Sequence, residues 1–199
     1  MSATKRRVTQ PIGVGNNSGK TGRSTKAVVP VHITRTGRGA ARVLRRGRKG
    51  RTPRVFICYV DEPHLKKLEV WLAPFERSQQ IKIWHRLRVV AGEDWRRQID
   101  QQLRRSDIIL MLVTPDFLAS DFSYNEEVRH AIERHNAGTA KVIPIIVRPS
   151  LLKMTPLGAL QALPKSGRPI NQWATADAAW LDVIQGIEEA ILALSEGQP

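Results

Sequence analysis

From Val55 onward the sequence alternates short apolar runs with longer stretches of helical period, and this restricts the fold more than any other feature, because it demands a parallel sheet covered by helices. Val55 to Tyr59 (VFICY) is a continuous apolar run, and Leu65, Leu68 and Leu72 follow at helical spacing. Ile81 to Trp84 reads as a short second strand, and Trp95, Ile99 and Leu103 share one face of a second helix. Ile108 to Val113 (IILMLV) is the most apolar run and suits the centre of a parallel sheet, buried on both faces.

Thr114-Pro115 reads as an N-cap and first helical residue, and a longer helix is expected from about Ser123 to His135. Val142 to Val147 is a fourth strand; Pro144 cannot donate to a ladder, which places this strand at an edge or a bulge. Residues 150–172 are loop-rich, with a short helix expected near Leu157 to Leu163 and a fifth strand at Pro169 to Trp173. Trp180, Ile184, Ile187 and Ile191 mark an amphipathic closing helix. The expected architecture is α/β and flavodoxin-like, a five-stranded parallel sheet with helices on both faces.

Charge divides the chain. Residues 1–54 contain fifteen Lys and Arg with no Asp or Glu, whereas residues 55–199 contain seventeen basic and eighteen acidic residues, so the net charge of +14 belongs to the N-terminal quarter. That quarter is rich in Gly, Ser, Thr and Arg and too poor in large apolar residues to offset its ordering entropy. It reads as a disordered basic tail over 1–52, ahead of one folded domain over 53–197. Such a tail is attracted to nucleic acid or an anionic surface by counterion release, most of all through Arg35 to Arg54; a solubilising extension is the plainer alternative.

No apolar run long enough to be transmembrane is present, and the single cysteine, Cys58, rules out a disulfide within the chain, which suits a reducing cytoplasm. Cys58 itself reads as a small buried apolar residue without a base beside it. Ser18-Gly19-Lys20-Thr21 lacks both the first glycine and the preceding strand of a phosphate-binding loop. His130 and His135 face different sides of their helix, so no metal or resident cofactor is expected.

Five segments then resemble, in order and spacing, the bacterial Toll/interleukin-1 receptor (TIR) domains: Val55 to Tyr59, Gly92 to Trp95 (GEDW), Asp107 to Phe122 (DIILMLVTPDFLASDF), Val142-Ile143-Pro144 with Arg148-Pro149, and Leu160 to Pro164 (LQALP). The resemblance covers nearly everything beyond the tail. It implies a flavodoxin-like TIR fold, self-association or contact with another TIR domain, and a role in signalling or immune defence. It also implies cleavage of NAD⁺, as substrate, with loss of nicotinamide by hydrolysis or cyclisation. Catalysis in that family falls to a glutamate on the helix after the third strand. A TIR module without catalysis, acting only through protein contacts, is the alternative.

Two adjacent candidates exist for that glutamate. Ser123 and Glu126 have the spacing of a capping box, and Glu126 faces Arg129 and His130, an exposed position. Glu127 borders the apolar stripe of Val128, Ala131 and Ile132, and the family pattern, in which an aliphatic residue follows the glutamate, also selects Glu127; Glu126 remains the alternate. A carboxylate suits the chemistry because breaking the nicotinamide–ribose bond develops positive charge on the ribose.

The cleft is expected at the carboxyl ends of the strands, in the loops after the first three of them. Tyr59, Val60, Asp61, Trp84, Phe122 and Tyr124 are the candidate substrate-binding residues. His85, Arg86, Arg88, Gly92, Glu93 and Asp94 form the candidate loop for contact between TIR domains. The chain departs from its relatives in carrying Val60, which has no side-chain hydrogen-bonding group, and Arg86 where an acidic residue is usual.

Overall fold

The computed structural model describes residues 51–120 and 123–196, with the side chains of 123–125 excepted; the basic tail to residue 50 therefore lies outside the described residues. Four parallel strands form one sheet: β1 (Arg54–Cys58), β2 (Lys82–Trp84), β3 (Ile108–Val113) and β4 (Lys141–Ile146), in the order β2-β1-β3-β4. The register pairs Val55 with both Ile83 and Ile108, and Ile108 with Lys141. All six residues of β3 are buried, as the unbroken apolar run requires of a strand flanked by two others and covered on both faces.

The alternation along β1 sorts the core into two layers. Val55, Ile57 and Tyr59 point to the face covered by α1 (Glu62–Arg77) and α5 (Ala176–Ser195), where Leu65, Leu68, Leu72, Trp180, Ile184, Ile187 and Ile191 are buried as their spacing predicts. Phe56 and Cys58 point to the opposite face, against α2 (Trp95–Arg105), α3 (Pro115–Ala119) and α4 (Arg129–Asn136). Thr114 caps α3 by accepting from the Phe117 amide at 3.0 Å, with Pro115 in the first turn.

The sheet has four strands rather than five. Pro169 to Trp173 does not run along the sheet; Ile170–Gln172 forms a single 3₁₀ turn whose Asn171 amide donates to the Val147 carbonyl, past the end of β4. The open edge beside β4 instead receives one bridge, between Ile145 and Leu163. The reason is the supply of donors: the Pro144 carbonyl accepts from the Leu163 amide, so the side of Pro144 without an N–H faces this edge, and Pro164 ends any ladder one residue later. Pro144 thus sits in an edge strand, one of its two expected settings.

Three smaller differences are local. Trp95 is 45% exposed, because it occupies the first position of α2 and projects beyond the sheet that buries Ile99 and Leu103. Near Leu157 the chain makes a 3₁₀ turn over Pro156–Ala159. The helix expected from Ser123 opens as a π-helical turn over Ser123–Val128 before continuing as α4. At the other end of the domain, Asp107 accepts from the Arg51 guanidinium at 2.6 Å and the Arg54 amide at 2.8 Å.

Candidate functional site

The chain leaves β1 toward β2 on one side and reaches β3 on the other, so strand order reverses between β1 and β3, and the carboxyl ends of these strands are where an open α/β sheet offers a ligand crevice. Into this crevice the π-helical turn carries Glu127. Its neighbours Val128 and Ala131 are buried against the sheet, and they draw Glu127 inward to 8% exposure while Glu126 stays exposed. A π turn spaces its backbone bonds one residue wider than an α-helix and is frequent at functional sites. Arg134, further along α4, donates to the carbonyls of Leu103 at 2.5 Å and Ser106 at 2.7 Å, fixing the helix that bears the carboxylate to the end of α2.

Burial pushes the Glu127 carboxyl above the ordinary carboxylate range. A hydrogen bond from the Cys58 thiol and the positive charge of Arg86 pull it back, and Glu126 adds to the rise. Cys58 is buried as expected, but a carboxylate does stand beside it, which corrects the expectation that no base is near. Burial and the Glu127 charge both push the thiol upward, so it stays protonated and serves as a donor to Glu127 rather than as a nucleophile.

Tyr59 is buried, and Arg86 lies across its ring with the guanidinium carbon 4.5 Å from the ring centre while Nη2 donates to the Val60 carbonyl at 3.2 Å. The Tyr59 hydroxyl is itself buried, beside the Arg86 guanidinium and the Leu87 backbone. Asp61 precedes α1, and its Oδ2 accepts from the Thr114 hydroxyl at 3.3 Å, tying the loop after β1 to the loop after β3. The Val60 side chain packs among the apolar residues of the α2–α4 face. Trp84, half-buried, stacks on Phe56 at 5.2 Å and 20°, so its ring is committed to that contact. Phe122, and the side chain of Tyr124, lie outside the described residues, as does the Ser123 side chain of the capping box.

The loop after β2 divides by burial. His85 is 5% exposed, with Nε2 2.8 Å from Glu69, and burial lowers its proton affinity; it braces the loop from within and offers no surface to another molecule. Arg88 is tied down by the Ile83 carbonyl at 2.7 Å and by Glu76 at 3.1 Å. Gly92 turns the chain at φ 91°, a backbone region that favours glycine. Glu93 is exposed, and Asp94 caps α2 through the Arg97 amide at 3.1 Å. The sequence reading missed two residues of this loop: Leu87 and Val90 are 52% and 66% exposed, large apolar side chains presented to solvent. The signal that would have marked them is an apolar pair inside a polar loop with no helical or strand period to bury it.

A cavity of about 430 Å³ lies elsewhere, between the end of β4 and the 150–172 segment, lined by Ile146, Leu152, Met154, Leu160 and Ala162 among others; it includes none of the crevice residues. Among the described residues, no cluster of His, Cys, Asp and Glu could hold a metal ion, and no helix is long and apolar enough to cross a membrane.

The family model described as a TIR domain matches residues 55–190. The uncharacterized protein y4lF of Sinorhizobium fredii is 44% identical over 140 residues, 69% of this chain; the chain spans 43% of that protein's length. Among solved structures, the TIR domain of the Toll-related receptor TRR-2 from Hydra magnipapillata is similar at 19% identity, covering 67% of this chain and 97% of that one, with a TM-score of 0.47.

Proposed function

The chain belongs to the TIR domain family, and on that premise we propose that it cleaves the nicotinamide–ribose bond of NAD⁺, with Glu127 as the catalytic carboxylate and self-association as the condition for activity. One observation carries the reading: a carboxylate drawn to 8% exposure stands at the strand-order reversal of an open α/β sheet, where such folds bind ligands. As the carbon–nitrogen bond breaks, its electron pair leaves with nicotinamide, which departs neutral, and the ribose acquires oxocarbenium character. A fixed anion facing that charge stabilises the transition state more than the ground state, and burial strengthens the effect by excluding water. In hydrolysis, water then adds to the ribose carbon and gives up a proton, leaving ADP-ribose; in cyclisation, a nitrogen of the adenine takes the place of water.

Glu127 must be ionised for this role, and Arg86 and the Cys58 thiol are the groups that favour its charged form against burial. The test is the appearance of nicotinamide when the purified full chain is concentrated with a crowding agent and given NAD⁺. Product that rises in step with self-association supports the reading. A folded, self-associated protein that releases none refutes it.

A second reading has its own support. Leu87 and Val90 present apolar surface on the loop after β2, beside the exposed Arg86 and Glu93, and such a patch suits contact with another TIR domain whether or not catalysis occurs. In this reading the chain is an interaction module in signal transduction. Leu87→Ser with Val90→Ser then abolishes self-association and leaves the folded monomer intact. The double variant assembling like the wild type would exclude this surface.

A further inference from the structure

Two of the places where this chain departs from the pattern of the TIR domains it resembles meet in the structure. Val60 removes a side-chain hydrogen-bonding group from the loop after β1, and Arg86 introduces a guanidinium in the loop after β2 that lies on the Val60 carbonyl at 3.2 Å. The Arg86 guanidinium thus places hydrogen-bonding groups over the loop after β1, where Val60 offers only its backbone carbonyl. Tyr59 forms the floor beneath the guanidinium, 4.5 Å away, so the planar fork is held from below and from one side.

The neighbouring cations are engaged elsewhere. Arg88 is paired with Glu76 at 3.1 Å and Arg148 with Asp116 at 2.7 Å. Among the described residues no carboxylate lies within 4 Å of Arg86, whose side chain is exposed at the crevice mouth. Its guanidinium donates to the Val60 carbonyl and lies against Tyr59, but forms no ion pair with a carboxylate at contact distance among the described residues. A dinucleotide cleaved by Glu127 brings such an anion, because a diphosphate joins its two riboses. A guanidinium fork matches paired phosphate oxygens, and one kept off a carboxylate by its own scaffold is ready to receive them.

We propose that Arg86 holds the diphosphate of the dinucleotide and so sets its direction in the crevice, with the diphosphate at the loop after β2 and the nicotinamide ribose toward Glu127. This rests on the cleavage reading for the identity of the substrate, but its test does not need turnover. Arg86 is a binding and positioning residue, and its charge also favours the ionised form of Glu127.

The experiment measures binding of ADP-ribose, which carries the diphosphate without the scissile bond, to the full chain by calorimetry, for wild type, Arg86→Ala, Arg86→Lys and Arg86→Glu. A charge-assisted, forked contact predicts about 10- to 100-fold weaker binding in Arg86→Ala, a smaller loss in Arg86→Lys and the largest in Arg86→Glu, with unchanged melting temperatures. Where nicotinamide release is measured alongside, Arg86→Ala raises KM, and the acid limb of its profile moves to higher pH because Glu127 loses a charge that favours its ionised form. Equal affinity of wild type and Arg86→Ala for ADP-ribose overturns the proposal, as does a wild type that binds none. ADP-ribose binding that depends on Arg86 in a chain releasing no nicotinamide would sink the cleavage reading and leave this one standing.

Discussion

Gly186 lies inside α5 with its open side against Leu163, and a methyl group there would be placed 2.4 and 2.9 Å from the two Leu163 methyls and 3.2 Å from its Cγ. Alanine ordinarily favours a helix interior over glycine by about 1 kcal/mol. The question is whether Leu163 can move aside. Its backbone is fixed by two hydrogen bonds, to the Pro144 carbonyl at 2.8 Å and from the Ile146 amide at 2.7 Å, and its side chain is 4% exposed within the α1–α5 core. Three atoms of one branched side chain must therefore shift together, which puts the overpacking cost near the upper end of the usual range, about 3 kcal/mol. The net expectation for Gly186→Ala is destabilisation of about 2 kcal/mol, lowering the melting temperature by about 4–8 °C. Urea and thermal unfolding measure it. Leu163→Ala alone should cost about 2–5 kcal/mol through its cavity, and the double variant should be more stable than the sum of the two, by about 1–3 kcal/mol, because the new methyl fills that cavity. Gly186→Ala melting at or above wild type would refute the reasoning, since Leu163 would then be free to yield.

Two other expectations concern the carboxylate. The folded value of Glu127 is raised above its ordinary 4.5, first by burial, so neither state is penalised at pH below 4.5, and the folded state loses stability as pH rises through the raised value. Glu127→Gln lacks that loss, so its stability advantage over wild type should grow between pH 4 and pH 7 in urea unfolding; an advantage independent of pH would contradict the assignment. Removing the donor in Cys58→Ala should raise the Glu127 proton affinity further and displace the acid limb of the nicotinamide-release profile to higher pH, whereas Cys58→Ser, which keeps a donor, should displace it less. Superimposable profiles for the three proteins would show that the thiol does not serve the carboxylate.

The layers of the fold were legible because each rests on a strong local signal. Ile108 to Val113 had no polar residue to face water, and Leu65, Leu68 and Leu72 had no partner but a sheet. The fifth strand was misread because Ile170 and Trp173 favour a strand, while the groups that decide pairing at that edge, the Pro144 carbonyl and the Leu163 amide, lie outside the segment. The choice of Glu127 over Glu126 as the buried glutamate followed from Val128 and Ala131, which fix one face of the helix. The π turn that carries it has no sequence signature. Nor could spacing place Arg86 on Tyr59 or Cys58 beside Glu127, since both contacts join segments that meet only when β1, β2 and α4 assemble. Leu87 and Val90 went unnoticed because an exposed apolar pair in a loop is defined by the absence of a pattern.

The central claim is that a single buried carboxylate in this chain breaks the bond between nicotinamide and ribose. Its most direct test is the rate of nicotinamide release from NAD⁺ by self-associated protein, comparing wild type with Glu127→Gln and Glu126→Gln at matched assembly, followed by light scattering. The account predicts release by wild type and by Glu126→Gln, and a loss on the order of 10²-fold or more in Glu127→Gln, the scale for removing one preorganised electrostatic group. Release that survives in Glu127→Gln, or wild type that assembles and yields no nicotinamide, would contradict it.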